Sequence, residues 1–111
     1  MSQQAPIKTA LSRDVVSAMC EVIEGEYGDC PLLADLRARA EVGKKTYGTR
    51  LMSHNGRDAL QDAHEEILDA LAYIWQARME YSDQKRSMWL GMMWRDLAAI
   101  ERQIRCLRAL R

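Results

Sequence analysis

Five carboxylates stand within twelve positions of the stretch NGRDALQDAHEEILDALAYIW: Asp58, Asp62, Glu65, Glu66 and Asp69, with no Lys or Arg among them. On a helix turning about 100° per residue they share an arc of roughly 100°, while Leu60 and Ile67 fall on the opposite side. The simplest reading is the solvated face of an amphipathic helix. Solvated faces usually mix signs, however, because like charges three or four apart repel by roughly 0.2 to 0.5 kcal/mol per pair. Here the pairs 58/62, 62/65, 62/66, 65/69 and 66/69 are all like-charged, a cost of about 1 to 2 kcal/mol together. Such a stripe asks for a cation. A hard ion such as Mg²⁺ takes oxygen ligands, and carboxylates three or four apart on a helix converge on one point. Glu66 and Asp69, an ExxD pair, suit this best. The other source of positive charge is the protein itself, either its basic last segment or Arg37, Arg39, Lys44, Lys45 and Arg50. Spacing leaves both sources open.

A second group of residues has chemistry to offer. Lys44, Lys45 and Arg50 flank a segment containing Gly48 and can hold phosphate oxygens, and Tyr47 can stack on a base. The same cations serve equally as solvent charges or as partners of the acidic stripe. Other chemistries lack their residues. No Gly-rich phosphate loop is present, and the two histidines, His54 and His64, sit in no known nucleophile motif. His64 lies at the edge of an apolar helix face and reads as structural.

The elements that must position these groups are helices. Pro occurs only at positions 6 and 31, no segment alternates apolar and polar residues for long, and Ala, Leu, Arg, Glu and Met dominate. The pattern predicts an all-α chain, a helical bundle of about four helices in one domain over 1–111. The first runs from about 12 to 25, capped by Ser12; the second from 31 to 43, with Asp29 or Cys30 as cap and Pro31 in its first turn. A loop of about a dozen residues through Asn55-Gly56 follows. The third helix, 57–81, carries the carboxylates and an apolar face of Leu60, Ala63, Ile67, Ala70, Leu71 and Ile74. The fourth, 85–110, has Ser82 or Asp83 as cap and a 4,3,4,3 seam of Met93, Leu97, Ile100, Ile104 and Leu107. Its start, SMWLGMMW, is apolar nearly all round, more than one intramolecular face requires, so a homo-oligomer contact through this helix is expected.

Composition narrows the function classes. Apolar residues make up 48% and charged residues 29% of 111 residues, so the chain is foldable and of single-domain size. The longest apolar stretch is too short for a bilayer and the opening lacks a secretory core, which points to a cytoplasmic protein with no membrane partner. Cys20, Cys30 and Cys106 fit neither a disulfide framework nor a CxxC zinc site and read as reduced, mostly buried thiols. Net charge is zero but uneven: residues 57–83 carry seven acidic and two basic side chains, and residues 84–111 the reverse. Arg102, Arg105, Arg108 and Arg111 recur every third residue and spiral around their helix, so a nucleic-acid surface is not expected. Trp75, Trp89 and Trp94 read as core or interface anchors.

EEILDALAYI resembles the EE-x-x-D-x-x-x-Y segment of the MazG-like, all-α nucleoside triphosphate pyrophosphohydrolases. The longer run ARAEVGKKTYGTRL…NGRDALQDAHEEILDALAYI is similar to small phage-borne and bacterial members of that superfamily, a likeness covering roughly residues 34–80. In that family acidic residues on two helices hold Mg²⁺, which binds the triphosphate, and water attacks the α-phosphorus to release pyrophosphate and a nucleoside monophosphate. The resemblance implies that Glu66 and Asp69 are metal ligands, and that Asp62 or Glu65 is a further ligand or the group that positions water. The family also places an ExxE on the preceding helix. Here LLADLRARAEVGKK offers only Asp35 and Glu41, six apart, with Glu41 able to supply one ligand. The expected function is therefore Mg²⁺-dependent hydrolysis of (d)NTP to (d)NMP and pyrophosphate by an oligomer. The alternative is a non-enzymatic helical interaction module, a degenerate relative such as a phage regulatory or inhibitor protein, that binds a protein partner through the acidic face or the Met/Trp patch.

Overall fold

The computed structural model describes residues 3–110. The chain is all-α, and the described residues form four helices: α1 (Val15–Tyr27), α2 (Pro31–Tyr47), α3 (Ala59–Glu80) and α4 (Gln84–Ala109). Among the described residues there is no strand, only an isolated antiparallel bridge between Asp14 and Met52. None of the described helices is long and apolar enough to cross a membrane. The helices form two compact units, Met1–Arg57 and Asp58–Arg111.

In the first unit α1 packs on α2. The helix begins later than Ser12 because Asp14 is the cap: its Oδ1 accepts from the Ser17 N–H at 2.9 Å. Ser12 is used elsewhere, accepting from the Thr9 N–H at 2.9 Å. α2 runs past Gly43 to Tyr47. A glycine inside a helix weakens it without ending it. Gly48 ends it, with φ 77 and its N–H bonded to the Lys44 carbonyl at 2.8 Å, a left-handed conformation that glycine adopts at no steric cost. At the start, Cys30 is the cap residue but makes no side-chain cap bond, and Pro31 fills the first turn. Leu33 is completely buried and Cys20 nearly so, forming the centre of this unit. Arg37 bonds Glu24 across the pair at 3.0 Å.

The loop after α2 is held by the N-terminal segment. Ile7 N–H donates to the Asn55 carbonyl at 2.8 Å, Ser53 N–H to Arg13 at 2.8 Å and Val15 N–H to Leu51 at 3.1 Å. Gln4 Nε2 donates to the Gly56 carbonyl at 3.0 Å. Residues 4–15 thus run alongside 51–56 and satisfy backbone groups that a free loop would leave to water. The turn is tight: His54 has φ 51 and Gly56 φ 80. Any side chain at Gly56 would collide with the Gln4 amide.

In the second unit α3 and α4 form an antiparallel hairpin through residues 81–83. Both helices start with an Asp cap. Asp58 accepts from the Gln61 N–H at 3.1 Å and Asp83 from the Arg86 N–H at 3.0 Å. Cross-links mark the whole length: Trp75 meets the edge of Trp94 at 5.7 Å, His64 pairs with Glu101 at 3.1 Å, and Arg108 reaches Asp58 at 3.7 Å. Leu60, Ile67, Leu71 and Ile74 lie on the packed side of α3, as their spacing predicts, whereas Ala63 is exposed. The seam of α4 is displaced from the predicted one. Leu90, Trp94, Leu97, Glu101 and Ile104 are its half-buried positions, while Met93, Ile100 and Leu107 are 43%, 42% and 49% exposed. Two stripes with the same rhythm share Leu97 and Ile104, and periodicity alone does not choose between them.

Candidate functional site

The acidic face is built on α3. Asp58 and Asp62 belong to its N-terminus, where the unpaired N–H groups and the helix dipole favour negative charge. That accounts for two of the five carboxylates without any ligand. Asp58 is the cap and also faces Arg108 of α4. Glu65, Glu66 and Asp69 are different. All three are exposed, beyond the first turn, and among the described residues none is in an ion pair. Glu65 accepts a hydrogen bond from the Gln61 side-chain amide at 3.3 Å.

Two arginines of α4 are engaged away from Glu65, Glu66 and Asp69. Arg105 grips Glu101 through Nε at 3.2 Å and Nη2 at 2.7 Å, and Arg108 lies against Asp58. Arg111 lies outside the described residues. Glu101 also meets His64, so α4 spends charge on fixing the hairpin. The Arg105 guanidinium, then the His64 hydrogen bond, hold the Glu101 carboxyl below the usual carboxylate range. His64 thus takes the structural place expected of it.

The predicted cationic residues belong to the first unit. Arg50 donates through Nε to Asp14 in a short contact and through Nη1 to Glu41 at 2.9 Å. It therefore ties the α1 cap to α2. The Asp14 carboxyl is lowered first by Arg50 and then by the Ser17 N–H, and Asp14 in turn raises the Arg50 guanidinium. Glu41, expected as a metal ligand, is thus partnered by Arg50 in the first unit, while Glu66 and Asp69 are in the second. Among the described residues no three His, Cys, Asp or Glu side chains gather as a protein-only metal cage would require. Mg²⁺ asks for less: it commonly keeps water and binds through one or two carboxylates plus substrate phosphates. Glu66 and Asp69 have the right donor atoms for that mode.

Tyr47 and Arg50 line a cavity of ≈ 540 Å³ in the first unit, while Lys44 and Lys45 are exposed at the end of α2 and do not line it. Its apolar wall comes from Ile7, Val16, Leu36, Leu51 and Met52, and its polar lining includes Lys8, Arg39 and Asn55. Sequence reasoning missed this cavity. The Asn55-Gly56 pair signalled a turn, but nothing local signals that residues 6–8 fold back onto it.

The three cysteines are free thiols: Cys20 is buried, Cys30 half-buried and Cys106 exposed, so one of the expected buried thiols faces solvent. No protein-family model, no curated protein and no solved structure matches the chain.

Proposed function

We propose that this protein is a Mg²⁺-dependent nucleoside triphosphate pyrophosphohydrolase of MazG-like type, converting (d)NTP to (d)NMP and pyrophosphate as a homo-oligomer. The observation that carries the reading is the exposed run Glu65, Glu66 and Asp69, which has no ion pair among the described residues while Arg105 and Arg108 are engaged with Glu101 and Asp58. A like-charged run of Glu65, Glu66 and Asp69 without an ion pair among the described residues is suited to an external cation. Glu66 and Asp69 would hold the metal, which neutralises phosphate charge as the pyrophosphate leaves. Glu65 and Asp62, on the same face, would accept hydrogen bonds from the attacking water and orient it. Each contributes by position, since phosphoryl transfer needs in-line placement and charge compensation more than covalent help.

The test is incubation of the purified protein with a panel of NTPs and dNTPs plus Mg²⁺, with pyrophosphate as readout and Glu66→Gln as control. Release of pyrophosphate that the substitution abolishes is the expected outcome. No product from any nucleotide, together with no Mg²⁺ binding by calorimetry, removes the enzyme reading.

A second reading has its own observation. Met93, Ile100 and Leu107 recur every seventh residue on the exposed side of α4, and Trp89 beside them is 55% exposed. A heptad line of this kind is the seam of helix-on-helix packing. In this reading the hairpin is a non-enzymatic interaction module whose α4 face takes a second copy or a partner helix. Sedimentation of the wild type and of Ile100→Glu separates self-association, lost in the variant, from a monomer awaiting another protein.

A further inference from the structure

The cavity of the first unit lies wholly within Met1–Arg57, so what it binds is independent of the metal reading of α3. Its volume of ≈ 540 Å³ falls in the roughly 300 to 1,000 Å³ range of small-molecule sites. Three features of its lining specify a ligand. The walls are mainly apolar, from Val16 on α1, Leu36 and Ala40 on α2, and Leu51 and Met52 on the loop. Two of its cations are uncommitted: among the described residues Lys8 and Arg39 make no ion pair, whereas Arg50 is compensated by Asp14 and Glu41. The third feature is Asn55, only 9% exposed and part of the lining.

The Asn55 amide is half used. Its Oδ1 accepts from the Arg57 N–H at 3.1 Å, which fixes the amide orientation, while Nδ2 has no acceptor among the described residues. No side-chain nitrogen or oxygen of the described residues is both sealed from solvent and unpaired. The Nδ2 donor of this lining residue is therefore open to solvent. A spare donor on a residue fixed in a cavity lining is a group that can orient a ligand.

We propose that this cavity binds a small organic anion with an apolar ring body and a carbonyl-type acceptor: the ring against the apolar walls, the acceptor on Asn55 Nδ2, and the charge with Lys8 and Arg39. Repulsion from the acid Asp14 is reduced by its pairing with Arg50. Gly43 leaves the room. It lines the cavity from mid-α2, and a Cβ built there meets nothing within 4 Å.

Calorimetric titration of the full chain with 4-acetylbenzoate and 2-acetylbenzoate, in which acceptor and anion are opposite or adjacent, tests the site. Saturable binding of at least one at sub-millimolar concentration is expected. It should weaken about tenfold or more for the matching neutral acetylbenzamide and for 4-isopropylbenzoate, which lacks the acceptor. Asn55→Asp keeps the oxygen that Arg57 uses but replaces the donor with a like charge, and Arg39→Gln removes a cation; each should weaken binding about tenfold. Gly43→Leu, a substitution that favours the helix and fills the space, should abolish binding with helicity intact. Glu66→Gln should leave it unchanged, which separates this site from the proposed metal face. Absence of saturable binding by both acetylbenzoates, or binding that survives Gly43→Leu and Arg39→Gln in folded protein, overturns the proposal.

Discussion

Glu66→Lys reads the acidic face directly. In α3 Glu66 has Asp62 four residues before it and Asp69 three residues after it, and both pairs are like-charged. Removing the two repulsions and installing two attractions changes helix stability by about 0.8 to 2 kcal/mol in favour of the variant. Asp62 before a lysine at position 66 is also the better order for a helical pair. Glu66 is exposed, and physiological salt screens beyond about 8 Å, so the lower half of that range, about 1 kcal/mol, is the expectation. For a domain of this size that corresponds to a rise of roughly 4 to 8 °C in Tm. The assay is thermal unfolding followed by circular dichroism, first in EDTA and then across a Mg²⁺ series. In EDTA the variant should melt higher. Under Mg²⁺ at ten times its Kd the wild type gains about 1.4 kcal/mol by mass action, while the variant gains nothing, so the gap closes or reverses. A lower Tm for Glu66→Lys in EDTA would refute the repulsion argument. Equal Mg²⁺ shifts in both proteins would refute the assignment of the ion to Glu66.

Leu33→Ala removes a fully buried side chain of the first unit and should cost about 3 kcal/mol, from lost transfer energy plus the residual cavity; urea unfolding measures it. Asp58→Ala should lower stability by about 1 kcal/mol through loss of the α3 cap, whereas Asp58→Asn, which still accepts from the Gln61 N–H, should retain most of it in the same thermal assay. Asp14 and Glu101 both have carboxyls depressed in the folded state, by Arg50 and Arg105 first. Their contribution is therefore present above the unfolded carboxylate value of about 4 and is lost as pH falls through the folded values. Urea midpoints measured from pH 7 to pH 3 should fall most steeply below about pH 4, and less steeply in Arg50→Gln and Arg105→Gln.

What the sequence determined by itself is local. Apolar spacing and Pro31 in a first turn set four helices, because helix periodicity involves residues no more than four apart. The opposition of the carboxylates to Leu60 and Ile67 was legible for the same reason. Where local rules offered two solutions, the fold chose. Local spacing points to Ser12 as the α1 cap, but that residue is drawn to Thr9 and His54 by the N-terminal segment and Asp14 caps instead. Gly43 and Gly48 both suit a stop, and only Gly48 takes the left-handed conformation. In α4 the two possible seams are resolved by contact with α3, where Trp94 meets Trp75 and Glu101 meets His64. The commitment of Arg50 to Asp14 and Glu41, and the cavity closed by residues 6–8, depend on partners 9 to 48 positions apart. Charge counting along a chain cannot assign such partners, since a cation near many carboxylates in sequence pairs with whichever one the packed helices bring within reach.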